Sequence, residues 1–174
     1  MLSIPNLPNT VIIQHSICVP LSVESVFRFF IENNLSAVYS EIAEGHEYFT
    51  LRTGTELEVG SIIDCKESAA NQTIVHEYHV TKISANERIA YSSKPSQCKI
   101  NFPWAVVESK SNTYVYYDLD RNNESETLIR LTIGIQFDNR TAVFMTSLFG
   151  GLTPWKKHCR EEMEGLKTVI ADLA

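Results

Sequence analysis

The chain has 174 residues, a formal net charge of -6, and 44% hydrophobic against 21% charged residues. This is the balance of a globular chain with a sizeable core, and the length fits one domain over 1–174. The negative charge disfavours nucleic acid and anionic membrane surfaces as partners, and no run approaches the ~20 apolar residues of an integral membrane segment.

The opening MLSIPNLPNT has neither the basic start nor the apolar run of a secretory leader. In TVIIQHSICVP, Val11, Ile13, His15, Ile17 and Val19 alternate with Ile12, Gln14, Ser16 and Cys18. This predicts a strand whose first set faces the core. Pro20 closes it. Ser22 is placed to cap a helix in which Val23, Val26, Phe27, Phe30 and Ile31 form the apolar stripe. NNLSAVYSEIAEG reads as a weaker helical segment ended by Gly45.

From His46 the pattern changes to strands. HEYFTLR is one, and GTELEVGS is a connecting loop. IIDCKES and QTIVHEYHVTKIS form a hairpin around Ala70-Asn71, and ERIAYSS returns after Ala85-Asn86. Pro95 and Pro103 make the next connection irregular; WAVVESK is a short extra strand if Ser111-Asn112 is a turn. TYVYYDLD is an aromatic-rich strand. In TLIRLTIGIQF, Ile129, Leu131, Ile133, Ile135 and Phe137 face inward and Leu128, Arg130, Thr132, Gly134 and Gln136 outward, which gives Arg130 a surface salt bridge as its expected role.

The C-terminus carries an apolar beat through Phe144, Leu148, Leu152, Trp155, Cys159, Met163, Leu166, Ile170 and Leu173, 29 residues in eight steps. That is about 3.6 per step, the helical repeat. The phase survives Gly150, Gly151 and Pro154, which disfavour a straight helix. The helix is therefore either kinked there, or broken with Thr153 as its cap and Pro154 as its first residue. A helix region, a run of antiparallel strands and a terminal helix make an α+β arrangement.

The chemical candidates are few. His15 is the polar member of the inward set of its strand, and is a weak candidate for a general base or cavity hydrogen-bonding group. His76 and His79 are three apart in a strand and point to opposite faces. With no nearby partner at ligand spacing, no metal site is expected. His158 and Cys159 lie roughly 100° apart on a helix and do not form a nucleophile–base pair. Glu161, Glu162 and Glu164, with Lys156 and Lys157, read as the solvated face of that helix. The four cysteines, Cys18, Cys65, Cys98 and Cys159, show no CxxC spacing. With the absent leader, they point to reduced thiols and a cytoplasmic protein.

VIIQHSICVPLSVESVFRFFIE, VHEYHVTKISANERIAYSS, and ETLIRLTIGIQF followed by FGGLTPWKKHCREEMEGLKTVI resemble the START-like, or SRPBCC, superfamily. The nearest likeness is to its polyketide cyclase/dehydrase-like group. The resemblance covers nearly the whole chain, and PSQCKINFPWAVVESKSN departs from it by being longer than the usual link. It implies a helix-grip fold: a curved antiparallel sheet of six to seven strands around a long C-terminal helix, with a hydrophobic cavity between them.

The implied function is binding or transport of a small hydrophobic molecule, lipid, quinone or polyketide-like, without a cofactor. The alternatives are a cyclase/dehydratase-like enzyme acting in the same cavity, and a protein-interaction module using the groove. On this reading the cavity residues are His15, Tyr91, Trp104, Tyr117, Phe144, Leu148, Leu152, Trp155, Cys159 and Met163, with the bend near Gly150–Pro154 at the cavity opening.

Overall fold

The structure is a computed structural model that describes residues 8–93, 95–141, 143–144 and 151–173. In chain order the elements are β1 (Thr10–Val19), α1 (Val23–Ile31), α2 (Asn34–Ile42), β2 (His46–Leu51), β3 (Ile62–Ala69), β4 (Gln72–Ser84), β5 (Arg88–Ser93), β6 (Ser96–Phe102), β7 (Ala105–Asn123), β8 (Glu126–Phe137) and α3 (Thr153–Ala171). Residues 140–141 and 143–144 are also helical.

The strands form one antiparallel sheet in the order β1-β8-β7-β5-β4-β3-β2. Among the described residues it has eight strands, where six to seven are expected. The additional strand comes from the long departing segment. β5 pairs with the Tyr78–Ser84 part of β4, and β6 pairs with its Gln72–Val75 part; both also pair with β7. β5 and β6 are thus two halves of one row, interrupted at Pro95, which has no N–H to give a ladder. The turn expected at Ser111-Asn112 is absent, because β7 runs through it and Asn112 pairs with Gln136. The hairpin turn lies instead between Phe102 and Ala105.

The packed face of the sheet lies against the helices. Ile17, Ile63, Ile89, Ile129 and Leu131 meet Phe30, Met163, Leu166 and Ile170 in one core cluster. Burying each of these side chains contributes about 1.5–3 kcal/mol. Ser22 does cap α1, its side chain accepting from the Ser25 N–H at 3.3 Å. The stripe of α1 is rotated from expectation: Phe29 is buried, and Phe27 and Ile31 only partly so.

Two glycines allow close approaches that frame the site. Gly45 has φ +89° and lies where a Cβ would sit 2.1 Å from the Ser68 carbonyl oxygen. This lets β2 begin tight against β3. A Cβ on Gly165 would sit 1.8 Å from the Ile42 carbonyl oxygen. That contact brings the end of α2, and His46 just after it, up to α3.

α3 begins at Thr153, with Leu152 rather than Thr153 at the cap position and Pro154 in the first turn, where a missing N–H costs little. Gly151 and Leu152 form a turn. Gly150, like the predicted cavity residue Leu148, falls outside the described residues.

Candidate functional site

Between the sheet and the start of α3 is a cavity of about 80 Å³. Its outer part is apolar: Ile100, Ile135, Phe137, Leu152 and Trp155. Ile100, Ile135 and Phe137 are half-buried, although alternation puts the last two on the inward face. A side chain that faces inward yet stays accessible marks the open part of the cavity.

The start of α3 is tied to the sheet there. The Trp155 indole N–H donates to Gln72 Oε1 at 2.7 Å, and Gln72 Nε2 donates to the Gly151 carbonyl at 2.9 Å. One glutamine thus holds both the turn and the first helical aromatic.

The inner part is polar. Glu67 on β3 is its centre. His76 Nε2 lies 3.2 Å from Oε1, and His158 Nε2 lies 3.2 Å from Oε2. The Tyr39 hydroxyl donates to Oε2 at 3.3 Å. His46 Nε2 is 3.8 Å from the same oxygen and has no hydrogen-bond partner among the described residues. Its Nδ1 lies 2.8 Å from the Tyr39 carbonyl oxygen, an arrangement in which the ring nitrogen must be the donor. His76 Nδ1 is held by Ser96 at 2.7 Å, beside the interruption between β5 and β6.

Deeper still, a smaller space of about 30 Å³ shares Glu67, Tyr78, Ile133 and Glu162 with the cavity and is lined also by Tyr91 and Tyr117. The Tyr117 hydroxyl donates to Glu162 Oε1 at 2.8 Å, and the buried Tyr91 hydroxyl has no hydrogen-bond partner among the described residues.

These surroundings set the charges. Burial alone would raise the Glu67 carboxyl, but hydrogen bonds from His158 and His76 outweigh it and hold the group well below the usual carboxylate range. Burial pushes His46 down to about 4, against the attraction of Glu67. For His158, burial is outweighed by the Glu67 hydrogen bond, and the imidazole is raised. Burial, reinforced by the Glu67 charge, lifts Glu162 to about 7. Cys159 is pushed up to about 12, chiefly by burial, so its thiol is not an activated nucleophile.

The described residues among those expected at the cavity divide into three groups. Leu152, Trp155 and Cys159 line it, and Tyr91 and Tyr117 line the deeper space. Met163 is fully buried in the core beneath. His15, Trp104 and Phe144 are elsewhere. His15 is half-buried on edge strand β1, 3.7 Å from Glu164 on the outer side of α3. It lines neither space. Trp104 is 83% exposed at the tip of the β6–β7 hairpin, stacked on Phe102, and Phe144 is 62% exposed.

Contrary to the expectation that Glu162 belongs to the solvated face of α3, it is buried against Tyr117. His46, Glu67, Gln72 and Glu162 belong to the site without a local sequence signal that singles them out. Their grouping depends on contacts across the fold, although Glu67 follows Ile63 and Cys65 on one face of β3, and Glu162 follows Cys159 by three on the apolar stripe. His76 and His79 do face apart, the first buried and the second paired with Glu77 at 3.2 Å. The metal-ligating types that do converge are a different set, His46, Glu67 and His158. Arg130 makes the expected salt bridge, to Asp120 at 3.1 Å.

No protein-family model matches the chain, and no curated protein matches it in sequence. Solved structures do match. A START superfamily protein from Mycobacterium smegmatis superposes with a TM-score of 0.61 at 12% identity, over 94% of this chain and 99% of that one. The protein has the START-like fold. A conserved protein from Geobacillus kaustophilus gives a TM-score of 0.61 at 16% identity, covering 93% of this chain and 96% of its own. The ginseng major latex-like protein 151 from Panax ginseng gives 0.56 at 11% identity, covering 86% and 97%. At these identities the helix-grip architecture is what is shared. Among the described residues, no helix is long and apolar enough to cross a membrane.

Proposed function

We propose that the protein binds a small, largely hydrophobic molecule in the cavity between the sheet and α3, as a cytoplasmic binding or transport protein. The observation that carries this reading is the gradient along the cavity. Accessible apolar side chains, Ile100, Ile135 and Phe137, lead to a buried floor of Tyr117 and Glu162. Apolar walls with a few convergent polar groups are the make-up of a ligand pocket. The START-like fold supports it, since the resemblance of the sequence to that superfamily implies such a cavity.

A volume of about 80 Å³ admits a ring or short chain with one polar end, rather than a whole lipid. The unpartnered Tyr91 hydroxyl is a donor for a carbonyl or hydroxyl on that end. All four cysteines are free, which fits a reducing compartment.

Native mass spectrometry of the purified full chain, with chromatography of its organic extract, tests the reading. The expected result is one small apolar molecule per chain, or uptake of one from a panel of quinones, short-chain lipids and aromatic polyketides. A chain that takes up none of them overturns it.

A second reading is favoured by Glu162. A carboxyl held near neutrality at the cavity floor and bonded to a tyrosine is suited to general acid–base work on a carbonyl guest. This replaces the version that used His15, which lies outside the cavity. It predicts solvent deuterium exchange into a bound ketone, lost in Glu162→Gln. Binding without exchange would leave the protein a carrier.

A further inference from the structure

His46 comes just after α2, Glu67 from β3 and His158 from the second turn of α3. One ligand atom from each lies within 4.8 Å of the others. His158 Nε2 and His46 Nε2 are 3.2 and 3.8 Å from Glu67 Oε2. Two ligands bound 2.0–2.1 Å from a tetrahedral ion are about 3.4 Å apart. The Glu67 and His158 atoms already have the spacing of two ligands of one ion, and His46 would move inward to complete the set.

Two of the three ligands are already oriented. The His46 ring lies flat on Tyr39, with centroids 3.9 Å apart, and gives its Nδ1–H to the Tyr39 carbonyl. That bond fixes the tautomer and leaves the Nε2 lone pair pointing into the cluster. A metal-bound histidine characteristically has such a second partner. Glu67 is held at Oε1 by His76 and at Oε2 by the Tyr39 hydroxyl, with Oε2 the oxygen nearest His158 and His46.

A plain buried ion-pair network accounts for His158 and His76, each in hydrogen-bonding range of Glu67. It does not account for His46, whose side chain is wholly buried and whose Nε2 has no hydrogen-bond partner among the described residues. A buried polar atom of this kind is rare without a ligand or ion to meet it.

We propose that His46, Glu67 and His158 bind one divalent transition-metal ion of the zinc type. Two imidazoles and one carboxylate suit zinc and its neighbours better than calcium or magnesium, which take oxygen shells. Glu67 and His158 also line the cavity, so a fourth coordination position would face it and take water or a donor atom of a guest. The site stands independently of the guest-binding reading, since an ion can bind whether or not the outer cavity is filled.

The test is titration of chelator-treated full chain with Zn²⁺ by calorimetry, and with Co²⁺ by visible absorption. The expected result is one ion per chain, an intense Co²⁺ band of low coordination number, and a melting temperature that rises with free Zn²⁺. His46→Phe keeps a ring on Tyr39 but removes the ligand, and should weaken Zn²⁺ binding roughly 100-fold or more. His158→Gln is read in the same way should His46→Phe not fold. His15→Ala and His79→Ala, at histidines outside the cluster, should leave the affinity unchanged. No saturable binding, or binding that survives loss of His46 and of His158, overturns the proposal.

Discussion

Replacing Glu162 with glutamine separates the cost of burying its charge from its packing. Glutamine keeps the shape and an oxygen to accept from Tyr117, but it cannot ionise. The Glu162 carboxyl titrates at about 7 in the folded chain against an ordinary value of 4.5. Between those two values the folded state holds a proton that the unfolded state has released. Stability conferred by this group therefore falls as pH rises through that window, and levels off once both states are ionised. At about 1.4 kcal/mol per unit, the cost above pH 7 is roughly 3 kcal/mol.

Glu162→Gln should accordingly gain about 3 kcal/mol on the wild type between pH 4.5 and pH 8. At 2–4 °C per kcal/mol for a chain of this size, that is about 6–12 °C in melting temperature. Any fixed cost of the amide group is the same at every pH. The quantity to read is therefore the change with pH of the difference between the two proteins, measured by thermal melts at half-unit steps. Taking the difference also cancels the separate acid loss expected from Glu67. A difference that stays flat from pH 5 to pH 8 would refute the placement of Glu162 beside a charged Glu67 in a buried site.

Three further outcomes are expected. Gly165→Ala should destabilise the chain by about 1–3 kcal/mol in chemical denaturation, because its Cβ would meet the Ile42 carbonyl oxygen at 1.8 Å and push α2 from α3. Trp155→Phe should cost about 1–3 kcal/mol through the stranded Gln72 oxygen, and hydrogen exchange should quicken at the start of α3 more than in β8. His15→Ala should change melting temperature by no more than about 2 °C and leave guest binding intact, because its pairing with Glu164 is at the surface.

Most of the fold is legible in the sequence because its signals are local. The alternation of β1 and β8, the turn residues Ala70 and Asn86 at φ +54° and +59°, and the serine cap of α1 each work over a few residues. The terminal stripe is legible for the same reason, with Cys159, Met163, Leu166 and Ile170 all buried. The strand count was harder, because the β5–β6 row is interrupted at a proline and resumes on the same neighbours. Periodicity within either piece cannot show that they are collinear.

The site was legible only in its apolar part. His15 belongs to the inward-facing set of its strand, but an edge strand meets the outer side of α3 rather than the cavity. Glu162 sits on the apolar stripe and was discounted for its charge, since glutamates on helices are mostly solvated. What buries it is Tyr117, 45 residues away on β7. The histidines about Glu67 are likewise gathered by the closeness of Gly45 to β3 and of Gly165 to α2, which no spacing rule conveys.

The central claim is that the space between sheet and helix receives an apolar guest, and Ile133 stands where the outer cavity meets the deeper one. Titration of an environment-sensitive apolar dye into wild type and Ile133→Trp tests it most directly, with circular dichroism to confirm that both are folded. The account predicts saturable binding of one dye per wild-type chain, and loss of that binding in the folded tryptophan variant. Equal binding by the two proteins, or none by either, would contradict it.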